Sequence, residues 1–585
     1  MNKLISFLSI LAIPTVLFAA TITNEPTGTG NWGDGANWIG GVEPSNGDSV
    51  YIIAAGGYAP TNIDILDLEI NTLFITNSDN ITMVFTGNDL KLWGIRGLAR
   101  STVTVATNVI QNNLTFMNAS QGWALGNNNI IIFEGVIGAT NPAYRAGGDT
   151  GALPSKYVLR NTNTFAGGIG SNLSRYEIYS DANFGLVPAA PVDNYLNNNY
   201  GSWTFSSLPG TCNKIVVHQN RGYRTSNGCT VYLDNNTKVV YKGVISDIGN
   251  NGWTRSGPGY LMLLYSNVFG GNMGSTPTPG GFGSMTRAMS DFAFGTPTAN
   301  RYIRSADGNA YDFNGFRVSK DLYWYNGSAN GAFRNCNVDC CSTVTSARIL
   351  FNYGGTYVNT FSGPGDMLLT GNIITNPGSG MQLGVVFKAG SGTLTYQGVT
   401  AITNATSVRG GKMVYDYTVN NGRKLAALLD MTNGLGVRAA IEFIGNDSED
   451  TTEAVTDIDP ADNVVPSNIR ASYGAGSITI RTGVGRNFTL LARRITRAGQ
   501  YDGANPLDIT LENNGGGVAQ VLVSAQGDGV LGGFHTFNKS TWMKISGGAV
   551  TGLADGEYDT AFWGDLSGTN KNVDVTADTT IESNA

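Results

Sequence analysis

Few side chains in this sequence have the type and spacing to do chemistry, and most of them stand in turns. Asp247, Asp291 and Asp366 are the carboxylates that a glycoside hydrolase would set across a sugar cleft. Each lies in or beside a Gly- and Asn-rich stretch, where Asp ordinarily bonds its own backbone. The acidic stretch NDSEDTTEAVTDIDPAD, Asn446 to Asp462, has the oxygen ligands that calcium takes. It lacks the Gly-rich nonapeptide of calcium-binding β-rolls and reads as a solvated loop.

Of the 5 Cys, Cys212 and Cys229 bracket one predicted strand–turn–strand and form a candidate disulfide, while Cys336 has Cys340 or Cys341 as partner. The only His are His218 and His535, both far from CNVDCC, so a Cys/His zinc site is not expected there. Nucleophile-elbow, zincin, phosphate-loop and dinucleotide motifs do not occur in a supporting context. No catalytic, cofactor-binding or metal-ligating residue is assigned. The segment DLYWYNG, Asp321 to Gly327, supplies candidate sugar-stacking aromatics in Tyr323, Trp324 and Tyr325. The alternative is that these rings alternate in and out of a core.

The elements that must position these residues are short strands. The chain has 79 Gly in 585 residues and only 14% charged residues, too little charge to clothe amphipathic helices in water. Gly, Asn, Thr and Ser separate short apolar runs, a mixture suited to strands joined by tight turns. With 41% hydrophobic residues there is ample material for a core. The net charge of −7 and the scattered Lys and Arg offer no basic stripe for nucleic acid. The one local cluster, Arg493, Arg494 and Arg497, reads as an exposed edge or turn.

Residues 1–20, MNKLISFLSILAIPTVLFAA, have a basic start at Lys3, an apolar core and small residues at Ala19 and Ala20. That order is a secretory signal peptide. The apolar run is short for a membrane span and is interrupted by Pro14. No later segment is long and apolar enough for a transmembrane helix. We therefore expect an exported chain, at the cell surface, outside the cell or in the periplasm.

Order recurs along the chain. FEGVIG, YVLRNTNTFAGG and YSDANFGLVP, from Phe133 to Pro188, are followed in the same sequence by YKGVIS, RSGPGYLMLLYSNVFGG and SDFAFGTP, from Tyr241 to Pro297. A degenerate third copy starts at MLLTGNIITNPG and includes KAGSGTLTY, the counterpart of RSGPGYLML. The repeat is about 105–125 residues. Such units cannot bury their own apolar faces but share one core when stacked. The expected fold is all-β, a right-handed parallel β-helix or solenoid, with tandem β-sandwich domains as the alternative. Residues 21–445 form the first solenoid portion, 446–462 the acidic loop and 463–585 a second portion.

These motifs together resemble the bacterial proteins that carry autotransporter-associated β-strand repeats. NWGDGANWIGGVEPSNGDSVYI, Asn31 to Ile52, is similar to that family's N-terminal module, and the resemblance makes Trp32 and Trp38 the aromatics that cap the solenoid end. RSGPGYLML and KAGSGTLTY match its Gly-rich strand motif, and NTFAGG and NVFGG its following turn. Segments from GKMVYDYTVNNGRKLA to GVLGGFHTFNKSTWMKISGGAVTGLADGEYDT follow a long variant of the family. A membrane β-barrel of the kind that ends true autotransporters is missing from the pattern. The chain stops at NVDVTADTTIESNA, where the pattern continues into further strands, so the second portion reads as C-terminally incomplete. Because a solenoid presents a long regular surface and no catalytic motif stands in a supporting context, we expect a structural or adhesive surface protein contacting polysaccharide or other cell-surface material, not an enzyme. The alternative is a polysaccharide lyase or glycoside hydrolase built on a β-helix.

Overall fold

A computed structural model describes residues 19–557, apart from 27, 29, 55–56, 78–81, 99–104, 119–121, 151–153, 174, 227, 250, 276–283, 299, 306–308, 325–331, 352–357, 376–384, 402–404, 426–427, 433–437, 459–463, 473–474, 499–505 and 532–534. Residues 1–18 of the expected signal peptide and the expected C-terminal truncation lie outside the described residues. Strands dominate the described residues, and the helical elements among them are the 3-10 turns Gly35–Asn37, Asp181–Phe184 and Asp555–Glu557. Among these residues no helix is long and apolar enough to cross a membrane.

Contacts divide the chain into two compact units, Met1–Ser206 and Ser207–Ala585. In the first unit, strands Thr21–Thr23, Ser49–Ala54, Glu69–Asn77, Leu90–Gly97, Trp123–Leu125 and Gly148–Thr150 follow one another as neighbours in one sheet. They pair in parallel: Thr21 with Ser49, Val50 with Leu73, Ile95 with Trp123. Parallel neighbours one coil apart make a β-solenoid, and this pairing excludes tandem antiparallel sandwiches.

Two-residue alternation fills the interior. Ile131, Tyr157, Tyr176 and Trp203 are aligned in adjacent strands and buried. Tyr157 stacks on Tyr176 at 5.7 Å, and Tyr176 on Trp203 at 4.8 Å. The strand spacing of about 4.8 Å puts like residues in van der Waals contact from coil to coil. Trp32 and Trp38 lie buried in the first described coil with their rings perpendicular at 5.7 Å. Each indole N–H is satisfied by a carbonyl, of Pro60 at 3.2 Å and of Trp32 at 2.8 Å.

The second unit contains a 12-stranded parallel sheet running from Asn213–Val217 to Ile495–Ala498. Its coils are much shorter than the repeat expected from sequence, because Lys238 already pairs with Tyr260, and Tyr260 in turn with Met285. The recurring motifs thus mark one strand–corner–strand piece, and several coils separate its copies.

Two features of that piece explain its composition. In FEGVIG and YKGVIS the glycine sits where the strand turns the corner, and a Cβ at Gly135 or Gly243 would lie 2.0 Å from the carbonyl of Asn112 or Arg221. Only hydrogen fits there. In NTFAGG and NVFGG, Asn163 and Asn267 are buried and reach between coils: their oxygens accept the N–H of Ile137 at 2.9 Å and of Ile245 at 2.7 Å.

The acidic stretch is only partly a loop. Thr451–Ala454 belongs to the stack and pairs in parallel with Phe488–Ala492, with Thr451, Glu453 and Val455 buried. Thr456–Ile458 then pairs antiparallel with Val464–Pro466. This insertion lengthens the coil that carries Leu429 round to its parallel partner Ile469. Farther along, parallel stacking gives way to antiparallel pairing, with Thr541–Ser546 between Thr536–Phe537 and Ala549–Gly552.

Candidate binding surface

Polar side chains gather on one outer sheet face of the second unit. Strands Trp253–Ser256, Met273–Ser275, Tyr302–Ser305, Asp321–Trp324, Arg348–Phe351 and Asn372–Thr375 run parallel in that order. Ile303, Leu322, Ile349 and Ile373 point inward and are buried. Alternation then turns Tyr302, Asp321, Arg348 and Asn372 outward on successive coils. Tyr302 is directly opposite Asp321, and Arg348 is opposite Asn372.

Asp321 organises the row. Its carboxylate accepts the Arg348 backbone N–H at 3.0 Å, and the Arg348 guanidinium at 2.8 Å from Nε and 2.7 Å from Nη2. Beside this pair is an open depression of about 610 Å³, whose lining includes Asn300, Arg317, Ser319, Thr345 and Arg348. Arg317 donates from Nε to the Thr345 hydroxyl at 3.3 Å, and its backbone N–H goes to Asp291 at 2.8 Å. Gly274 leaves a smaller hollow of about 190 Å³ between Thr254 and Arg304, edged by Asn251, Asn272 and Tyr302. Amide, hydroxyl and guanidinium groups with an aromatic edge are what a polyhydroxylated chain would meet.

Behind this face, Lys320 turns inward between Ser319 and Asp321. Its ammonium donates to the Gly271 carbonyl and sits 4.4 Å from the Phe269 ring centroid. Burial pushes its pKa down to about 7, against the opposing pull of Asp247. Related interior cations recur in the second unit. Arg255 donates to the Gly257 carbonyl at 2.5 Å and to Asn309 at 2.8 Å. Lys388, its counterpart in KAGSGTLTY, donates to the carbonyls of Ala389 and Gly390, each at 2.9 Å. The Arg/Lys-x-Gly-x-Gly pattern thus encodes a buried cation that satisfies the carbonyls of the turn following it.

Of the aromatics singled out from sequence, the described side chain is that of Tyr323, and it does not stand open on the surface. Tyr323 is buried, with its ring 4.7 Å from that of Tyr302. Both faces of the strand are packed here, because the outward side is covered by the neighbouring coil's Tyr302. The Trp324 side chain and Tyr325 lie outside the described residues. Tyr302, which stood out in no motif, lines the hollow together with the buried Trp253.

The three turn carboxylates are also occupied, Asp247 in part by its own turn, where it accepts the Gly252 N–H at 3.3 Å. Asp247 accepts the N–H of Gly270 at 3.1 Å and of Gly271 at 2.7 Å; Asp291 accepts that of Arg317 at 2.8 Å; Asp366 accepts that of Thr393 at 2.7 Å. Each binds the backbone of the next coil, a partner that local sequence does not reveal. Cys212 and Cys229 are not bonded to each other: Cys212 is exposed before one strand and Cys229 is buried in a strand of another sheet. Cys336, Cys340 and Cys341 are not bonded to one another either. Arg493 and Arg494 stand exposed at a corner between strands, and Arg494 donates to the Ala525 carbonyl at 2.9 Å. Among the described residues no group of three or more His, Cys, Asp or Glu side chains converges on a metal-sized site.

Fold and surface together define a parallel β-solenoid with a polar outer face. No family model, curated protein or solved structure matches this chain.

Proposed function

We propose that this chain is an exported structural or adhesive solenoid of the passenger-like kind its motifs resemble, and that it holds polysaccharide against the outer face of its second unit. The observation that supports this reading most directly is the row Tyr302, Asp321, Arg348 and Asn372, standing on successive coils beside the depression of about 610 Å³. Regular spacing along the coil axis suits a polymer better than a single small molecule. The fixed Asp321–Arg348 pair offers donors and acceptors whose positions are set before a ligand arrives, which lowers the entropic cost of binding.

The test is retention and turnover on a panel of neutral and acidic polysaccharides with the full chain. Retention without release of reducing or unsaturated ends is expected, weakened several-fold by Arg348→Ala and by Tyr302→Ala. Release of such ends would instead establish the alternative, a polysaccharide-degrading enzyme. Export is tested separately by fractionating cells and reading the mature N-terminus, which is expected after Ala20.

A further inference from the structure

A second face of the same unit carries a charge pattern that the sequence hides. In the 12-stranded sheet, Lys214 pairs in register with Lys238, and Lys238 with Tyr260. A parallel row one side-chain step along the same face runs Val216, Val240, Met262, Arg287, Asp312, Arg334. Lys214 and Lys238 are exposed. Neither has an ion-pair partner among the described residues.

Like charges directly opposite on neighbouring strands destabilise a sheet, so this pair works against the fold. On the described strands from Asn213 to Arg334, Lys214, Lys238, Arg287 and Arg334 face the single carboxylate of Asp312. Arg287 Nε donates to that carboxylate at 2.6 Å, which leaves the two lysines uncompensated. The surplus is local, since the whole chain carries a net charge of −7.

We propose that this outer face binds a linear acidic polysaccharide laid along the coil axis, its carboxylates meeting Lys214, Lys238 and Arg334. The strand step of about 4.8 Å is close to the length of one sugar ring, so a polyuronate offers roughly one carboxylate per rung. Nucleic acid fits less well. Single strands need open aromatic faces for their bases, whereas Tyr260 has Lys238 over its ring at 5.3 Å and Arg287 at 5.7 Å. The assignment rests on reading the chain as a polysaccharide-contacting solenoid, but it uses a different sheet from the Asp321–Arg348 surface.

The experiment uses the full chain with sodium polygalacturonate, its methyl-esterified form and single-stranded DNA as probes, at low and high salt. Polygalacturonate is expected to bind, the neutral ester not, with affinity falling as salt rises. Lys214→Gln/Lys238→Gln is expected to weaken binding by about tenfold or more, with a melting temperature equal to or above wild type because a like-charge pair is gone. Retention of neutral polysaccharides by the same variant reports on the other face and is expected to be unchanged. Failure to bind polygalacturonate, equal binding of the ester, wild-type affinity in the double variant, or tighter binding of DNA would each overturn the assignment.

Discussion

The carboxamide of Asn267 accepts the N–H of Ile245 at 2.7 Å in one neighbouring coil and donates to the Ala293 carbonyl at 2.5 Å in another. Asn163 does the same between Ile137 at 2.9 Å and Asn183 at 2.7 Å. At a solenoid corner the strand ladder is interrupted, and backbone groups there would be buried without partners. A carboxamide, with an acceptor and a donor on one short stem, bridges both neighbours at once.

Asn267→Ala leaves both groups unpaired and is expected to lower stability by about 1–3 kcal/mol for each. Asn267→Asp keeps the acceptor and should fall between Ala and wild type. Urea unfolding followed by far-ultraviolet circular dichroism measures both. Wild-type midpoints would mean that the corner relaxes around the loss.

Gly243→Ala brings a Cβ to 2.0 Å from the Arg221 carbonyl. The backbone of two coils must separate to admit it, and a cost of about 1–3 kcal/mol is expected. An exposed control is Val419→Ala, which should shift the melting temperature little. Equal effects at both positions would remove close coil approach as the reason for the corner glycine.

The interior lysines make stability depend on pH. Burial pushes Lys320 down to about 7, and Lys388 and Lys424 to about 8, each opposed in part by a nearby carboxylate. The unfolded chain keeps these protons to about 10.4. Between these values the unfolded state binds more protons, so stability rises with pH from about 7 toward 10. Below 7 the full cost of burying charged ammonium groups is present. Denaturant midpoints at pH 6, 8 and 9.5 are expected to climb, and the climb should be shallower in Lys320→Met. Parallel profiles for the two proteins would show that Lys320 keeps its ordinary affinity for protons.

The cysteines are expected to behave as free thiols. A thiol reagent should modify exposed Cys212 in the native chain and buried Cys229 only after unfolding. A reductant should leave the melting temperature unchanged. An intact mass short by two hydrogens, with Cys212 and Cys229 linked in the peptide map, would restore the staple expected from spacing.

Much of the architecture is determined by the sequence alone. Scarce charge, abundant Gly and Asn, and alternation in RSGPGYLML and KAGSGTLTY suffice for parallel strands stacked around one core, because strand alternation and turn preferences act over a few residues. Only the tertiary structure decided who meets whom across coils. Lys214 and Lys238, a full coil apart in sequence, become neighbours because Asn213 pairs with Thr237, and a coil length is not written in either segment. Asp247, Asp291 and Asp366 look like local turn residues, yet all three bind the backbone of the next coil, Asp247 in addition to its own turn. Tyr323 appears in an aromatic cluster yet lies covered by Tyr302, which belongs to the preceding coil and stands opposite Asp321 in register. A solenoid converts sequence separation into adjacency only once each coil closes. The length of each coil depends on how its corners pack on the coil beneath, and that is a property of the assembled stack.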